Sequence, residues 1–384
     1  MDFRLTEEQE LLLGSLRELI AREFSEEEYK DCYINHKPYL KLERALVNGG
    51  FGTLGLPEEY GGVGADMLTQ VLVCEEVARL TGTIPAVASS SVMCNMIFEV
   101  GTEEQKQLTL KSIEEMGFPP FCLGVTEPQA GSDNSALTTN VTRKNGKVYI
   151  NGHKSFITDS LEAKYMLTLA RDLNSTKPVY QSMSMWMVPL DAPGVTREPI
   201  KKIGTPNRSC CEIYLDNVEL EEKDLVGEEG NAFYQQMKSF EQERLVVSAC
   251  NVGMARAAYE DACRYANQRI TFGKKIAERQ LIQEKITMMA IKIENMRNML
   301  YKCAWQYDNG ISTRNLSALV KLYCGRAAFE VIDDAMQVLG GIGYTIDSRV
   351  ARMWADVRLG RIGGGTDEIM IHIAGRGLLK EFAN

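Results

Sequence analysis

Asn145-Gly146-Lys147-Val148-Tyr149-Ile150-Asn151-Gly152 sets the middle of the chain apart from both ends. Asn-Gly readily takes two consecutive positive φ angles. Each pair therefore reads as a tight β connection, and the Val148-Tyr149-Ile150 between them as a strand. Strand-like runs follow at 165–170, 183–188 and 212–215. Residues 119–226 are thus expected to form a small β domain, a compact barrel or sandwich.

Outward from this segment the apolar period lengthens. In residues 1–118, Thr6-Glu7-Glu8-Gln9 has the form of a capping box, and Leu12, Leu16, Leu19, Ile20 and Phe24 recur on one helical face. Thr102-Glu103-Glu104-Gln105 offers a second helix start, and an apolar helix is expected near 67–80. After Gly227-Glu228-Glu229-Gly230 the helical period returns through 227–384. Ile282, Ile286, Met289, Ile293, Met296 and Leu300 step by four and three, a buried stripe in which methionine fills the core. The fold class is α+β and multidomain: an N-terminal helical domain, a β domain and a C-terminal helical domain.

Bulk properties narrow the function. The formal net charge of -9 comes from 52 acidic and 43 basic residues without a basic tract, which disfavours nucleic acid as a partner. The ten cysteines form no CxxC pair and three histidines are available, so zinc-type spacing is absent and no metal is expected. Buried free thiols are the expected state, in keeping with a reducing, cytoplasmic setting. Residues 1–30 show no signal-peptide pattern, and no run approaches the ~20 apolar residues of a membrane span. The glycine clusters at 61–64, 340–343 and 363–365 do not match GxGxxG after a strand, which disfavours a nicotinamide-binding Rossmann domain.

Gly124-Val125-Thr126-Glu127-Pro128-Gln129-Ala130-Gly131-Ser132-Asp133-Asn134-Ser135-Ala136 is different. Small residues and hydroxyls let backbone N–H groups approach a polar, flat or phosphorylated ligand, although a surface loop can have the same composition. As a whole the segment resembles the flavin-contacting signature of the acyl-CoA dehydrogenase family. A second family signature is matched by Gln337-Val338-Leu339-Gly340-Gly341-Ile342-Gly343-Tyr344, with Asp347, Arg352 and Asp356 at the expected offsets. Residues 267–273 (NQRITFG) and 363–368 (GGGTDE) match further, in family order.

The resemblance implies FAD as cofactor, a C-terminal four-helix bundle and a homotetramer built as a dimer of dimers, with FAD across a subunit interface. It places Leu123, Val125 and Thr126 against the flavin, and Ser132 near the cofactor or the CoA arm. Phe156 and Thr158 match the positions that stack on and hydrogen-bond to the isoalloxazine. Most relatives carry Trp where Phe156 stands, and Gln129 replaces a more usual Gly. Arg269, Phe272, Gln280, Gln337 and Gly341 match contacts made to the neighbouring subunit's cofactor, and Thr366 and Glu368 the last adenosine-side contacts.

Many members carry their catalytic Glu directly before the late Gly-Thr pair, where this chain has Gly364. Isovaleryl- and long-chain-type relatives place it on a helix before an Arg, and Glu243-Arg244 matches that step. The resemblance thus implies Glu243 as the base that removes the α-proton of an acyl-CoA thioester. Glu241, Arg244, Gly364 and Gly365 are implied at the substrate, the Gly364 N–H among the donors to the thioester oxygen. The expected reaction interconverts acyl-CoA and 2,3-enoyl-CoA, with electrons exchanged with an electron-transferring flavoprotein. A flavin oxidase on the same fold and an inactive acyl-CoA-binding homologue are the alternatives. Ser209-Cys210-Cys211-Glu212-Ile213, Gln280-Leu281-Ile282-Gln283-Glu284-Lys285 and residues 289–308 resemble most the bacterial crotonobetainyl-CoA reductase-like branch, which implies a reductase. Ser89-Ser90-Ser91 and Cys94-Asn95 match a helix bordering the acyl tail in relatives. Their polarity suits a short or polar acyl group, and solvent exposure accounts for it equally.

Overall fold

A computed structural model describes residues 4–118 and 120–383, the side chains of Ser89 and Ser90 excepted. Six helices come first: α1 (Glu7–Glu23), α2 (Glu26–Ile34), α3 (Leu40–Asn48), α4 (Met67–Thr81), α5 (Ala86–Val100) and α6 (Glu103–Met116). Both capping boxes are present, Thr6 with Gln9 at α1 and Thr102 with Gln105 at α6, so the first N–H groups of each helix find acceptors within the chain. On α1 the fully buried line is Leu13, Leu16 and Ile20, with Leu12, Leu19 and Phe24 packed at its margin.

The β region comprises β1 (Phe121–Gly124), β2 (Asn140–Lys144), β3 (Lys147–Thr158), β4 (Tyr165–Asp172), β5 (Met183–Pro189), β6 (Val195–Pro199), β7 (Cys210–Leu220) and β8 (Leu225–Val226). They form one sheet in the order β6-β7-β3-β2-β4-β5-β8, with β1 parallel to β4. Strands β4 and β5 are buried on both faces, which is why they read as continuous apolar runs. Met166, Ala170, Trp186 and Val188 pack into the sheet's own core. Leu167, Leu169, Met183, Met185 and Met187 pack the other way, with residues of α5.

The two Asn-Gly pairs behave differently. Asn145 (φ 54°) and Gly146 (φ 76°) close the β2–β3 hairpin, with Lys144 paired to Lys147, as the sequence predicts. Asn151-Gly152, expected as a second turn, instead lies inside β3 at a register shift against β7. A Cβ on Gly152 would stand 2.2 Å from Thr139 Oγ1. This glycine serves close approach of a neighbouring segment rather than a turn.

The remainder is helical: α7 (Ala232–Gln268), α8 (Gln280–Asp308), α9 (Arg314–Leu339), α10 (Arg349–Val357) and α11 (Asp367–Glu381). A short ribbon, β9 (Ile270–Thr271) and β10 (Lys274–Lys275), joins α7 to α8. The expected α8 stripe is buried at Met289, Ile293, Met296 and Leu300, while Ile282 and Ile286 pack at its half-buried end. The α7 spine also meets α4, where a Cβ on Gly253 would stand 2.2 Å from the Glu75 carbonyl oxygen. Among the described residues no helix is long and apolar enough to cross a membrane, and no cluster of His, Cys, Asp or Glu could hold a metal.

Candidate active site

Phe156 stands where β3 departs from regular pairing. The β3–β7 register shifts between Lys154 and Ile157, and Phe156 adopts φ 58°, a conformation that bulky residues take under local constraint. The bulge turns the ring out of the sheet, leaving it 64% exposed. Ser155 N–H donates to the Thr126 carbonyl at 2.9 Å, fastening the 125–139 loop beside this ring.

A buried ion pair holds that arrangement beneath the surface. Lys154 Nζ lies 2.9 Å from Glu127 Oε1, both side chains fully buried, and also donates to the carbonyls of Val125 (3.2 Å) and Leu169 (2.8 Å). Glu127 further accepts from the N–H groups of Thr138 (2.7 Å) and Thr139 (2.9 Å) and from Thr138 Oγ1 (2.8 Å). Burial acts to raise its carboxyl, but the Lys154 charge and these bonds outweigh it and hold the pKa at about 2. Gln129 fits the same lattice, its Nε2 donating to Glu127 Oε2 at 2.8 Å and Thr138 Oγ1 at 2.9 Å. Leu123, in β1, and Thr126 are half-buried; Val125 is buried and Ser132, further along the loop, is exposed. Thr158 ends β3, half-buried and paired with Cys210.

The carboxylate side is built from α7, α9 and the turn before α11. A Cβ placed on Gly364 would lie 3.5 Å from Glu243 Oε1, so residues 121 positions apart in sequence share one spot. Glu243 is half-buried and its carboxylate makes no hydrogen bond among the described residues, leaving its oxygens free for a proton. Burial raises its pKa, and the charges of Arg244 and Lys321 only partly offset that. Glu241 is already engaged, accepting from Thr313 Oγ1 at 2.6 Å. Arg244 is 5% exposed; its Nη1 reaches Ser317 Oγ at 3.4 Å, and its buried Nε has no partner among the described residues. Asp367, a sequence neighbour of the Gly-Thr step, is bound by Arg326 Nε and Arg361 Nε, each at 2.9 Å. Those two bonds overcome the effect of its burial and lower its pKa, which suits structure better than proton abstraction. Thr366 caps α11, accepting from Ile369 N–H at 3.3 Å, and Glu368 is exposed in its first turn.

Profiles of the three acyl-CoA dehydrogenase domains match this chain in order: the N-terminal domain over residues 6–116, the middle domain over 122–218 and the C-terminal domain over 230–379. The chain belongs to the acyl-CoA dehydrogenase family. It is 52% identical over 385 residues to a probable acyl-CoA dehydrogenase, YdiO, of Escherichia coli K12, covering 100% of both chains. Among solved structures, butyryl-CoA dehydrogenase from Megasphaera elsdenii superposes with a TM-score of 0.91 at 28% identity, covering 99% of this chain and all of that one. A chain in a structure described as the electron transferring flavoprotein of Acidaminococcus fermentans gives a TM-score of 0.93 at 30% identity, covering 99% and 100%. As a member of this family, the protein is a flavin-dependent oxidoreductase acting on CH–CH bonds.

The structure suits the flavin that the family uses. An exposed aromatic ring on a bulge offers a stacking face, and among the described residues the buried Asn134 Oδ1 in the adjoining loop has no hydrogen-bond partner. Other predicted cofactor residues lie elsewhere on the surface of the chain. Arg269 and Gln280 are exposed, Phe272 is 97% exposed on the β9–β10 turn, and Gln337 and Gly341 are exposed at the end of α9. Among the described residues, none of these five hydrogen-bonds to the Thr126–Phe156 group.

Two groups escaped the sequence reading. Lys321, fully buried on α9, donates to the Gly365 carbonyl and so holds the Gly364-Gly365 turn against Glu243. Burial pushes its ammonium down to about 8, with the carboxylates of Asp367 and Glu243 opposing the shift. A lone lysine inside the apolar run Ala318-Leu319-Val320-Lys321-Leu322 was the available signal. Lys154 is the other, because its partner Glu127 lies 27 residues away and no local pattern joins them.

Proposed function

We propose that this protein interconverts acyl-CoA and 2,3-enoyl-CoA thioesters with FAD bound, Glu243 moving the proton at the α-carbon. The juxtaposition of Glu243 with Gly364 carries this reading, because it puts a carboxylate where the common family base would sit. A partly buried Glu with a raised pKa is suited to a weakly acidic C–H, and Arg244 keeps it close to positive charge. FAD, when bound, accepts or supplies the β-hydride. Leu123, Val125, Thr126, Phe156 and Thr158 would hold its ring, and Ser132 the cofactor or CoA arm. The Gly364 N–H would polarise the thioester carbonyl, its backbone kept in place by Lys321 at the next residue.

The outward-facing Arg269, Phe272, Gln280, Gln337 and Gly341 suit contact with a second subunit's cofactor. Ile270 (61% exposed) and Tyr344 (84%) beside them provide apolar area for a dimer of dimers. Thr366 and Glu368 would complete the adenosine side, with Glu241 and Gly365 at the substrate. Electrons would pass to or from an electron-transferring flavoprotein in a cytoplasmic setting. The segments at 209–213, 280–285 and 289–308 favour the crotonobetainyl-CoA reductase-like branch and hence the reductive direction. The test is anaerobic titration of the FAD-loaded protein with saturated and α,β-unsaturated CoA thioesters, followed by the flavin absorbance. Bleaching by saturated thioesters without peroxide on admitting air supports the reading, and rapid peroxide formation would make the protein an oxidase instead.

A further inference from the structure

Glu212 on β7 stands opposite the bulge that presents Phe156. Lys154 pairs with Ile213 and Ile157 with Cys211, so three steps along β3 meet two along β7, and Ser155 and Phe156 share Glu212 as the residue they face. The Glu212 carboxylate spans this irregularity. Its Oε2 accepts from Ser155 Oγ at 2.5 Å and lies 2.7 Å from His153 Nε2, so one partner sits on the bulge and the other just before it. Ser155 is buried, and His153 is fixed in turn by Tyr214 of β7, the two rings stacked at 4.2 Å and 20°.

Sheet pairing gives no reason for a carboxylate at this position. On its other side Glu212 is paired with Glu198 of β6, and like charges directly opposite each other weaken a sheet. The positive φ of Phe156 is a second local cost, since a bulky residue keeps such a conformation only where its surroundings hold it. One arrangement accounts for both. Side chains alternate between the faces of a strand, so His153 and Lys154 leave β3 on opposite sides. Lys154 anchors the inner side through Glu127 and the Val125 and Leu169 carbonyls, and Glu212 anchors the outer side through His153 and Ser155.

We propose that Glu212 is a positioning residue for the flavin, clamping the bulge through Ser155 and His153 so that the Phe156 ring holds one orientation as a stacking face. A ring whose plane is set before the ligand arrives loses no affinity to reordering, and that is what the clamp supplies. Phe156 itself is 64% exposed, so the packing that fixes it has to come from the residues beside it in the strand.

This inference rests on the flavin reading above and is tested on the full-length protein, stripped of FAD and reloaded. Glu212→Ala should raise the Kd for FAD about tenfold, the size of one lost charge-assisted hydrogen bond. It should also weaken the visible circular dichroism of the flavin that does bind, and speed hydrogen exchange at the Ser155 and Ile157 amides of the FAD-free protein. Glu212→Gln should stay near wild type in all three, because its amide oxygen can stand where Oε2 stands. Ser155→Ala keeps the carboxylate and should shift all three in the same direction as Glu212→Ala, which keeps the test open if Glu212→Ala does not fold. Unchanged FAD affinity and dichroism in Glu212→Ala and Ser155→Ala would overturn the assignment, and faster exchange without weaker FAD binding would reduce the clamp to a structural one and overturn it too. Wild type binding FAD no better than these variants sinks this inference alone. A wild type that takes up no FAD removes the proposed function and this inference with it.

Discussion

Gly364 presents its missing side chain to the Glu243 carboxylate: a Cβ there would lie 3.5 Å from Oε1 and 4.0 Å from Cδ. On the proposed reading, the two positions are alternative attachment points for one catalytic group. A carboxylate rooted at both would place like charges together, and this chain keeps the one on α7.

Removing that group should abolish turnover without emptying the site. Glu243→Gln is expected to retain FAD and thioester binding while lowering the rate of flavin reduction by about 10²–10⁴-fold, the usual contribution of a general base. Adding Gly364→Glu in that background should restore part of the rate. Rescue will be incomplete because Gly364 has φ 64°, where a side chain costs on the order of 1–2 kcal/mol. Stopped-flow absorbance distinguishes the outcomes, and near-normal reduction by Glu243→Gln alone would move the base elsewhere.

The pH dependence should have opposite signs in the two directions. Oxidation needs Glu243 ionised, so its rate falls as pH drops through the raised pKa. Enoyl reduction needs the protonated acid, so its rate falls as pH climbs through the same value. The Lys321 charge pulls that pKa down, so Lys321→Met should displace both profiles to higher pH. Identical profiles in wild type and Lys321→Met would show that the ammonium acts through the Gly365 carbonyl alone.

Lys154→Met should be costly well away from the chemistry. It leaves the Glu127 carboxylate buried without its ammonium, a loss of about 3–5 kcal/mol in comparable pairs, and it frees the Val125 carbonyl next to the proposed flavin face. A lower Tm and reduced FAD content are expected together. Glu127 has a folded pKa depressed to about 2, so in the wild type it adds stability above its ordinary carboxylate pKa. That contribution disappears as pH falls towards 2. In Lys154→Met this acid dependence should flatten, which urea titrations at several pH values would reveal.

Cofactor retention should also depend on assembly. Arg269→Ala removes an exposed cation from the β9 side of the α7–α8 connection and is expected to weaken FAD binding by about 1.5–3 kcal/mol, as for a lost charge-assisted contact. Sedimentation combined with flavin content checks this. A folded monomer that holds FAD as tightly as the assembled wild type would refute a cofactor shared between subunits.

What the sequence determined by itself was local. The capping boxes at Thr6 and Thr102, the Asn145-Gly146 turn and the α8 stripe depend on residues a few positions apart, where backbone sterics and apolar periodicity act directly. The signature runs likewise revealed the family, because each is contiguous. Tertiary structure decided the rest. Asn151-Gly152 has the composition of a turn, yet Thr139 packed against Gly152 keeps it within β3. Glu127 with Lys154, Lys321 with Gly365, and Glu243 with Gly364 are pairs joined only when separate elements pack. Burial acts to raise both carboxyls; Lys154 and the surrounding hydrogen bonds bring Glu127 below its ordinary value while Glu243 stays raised, and no linear pattern records which distant partner will supply the compensating charge.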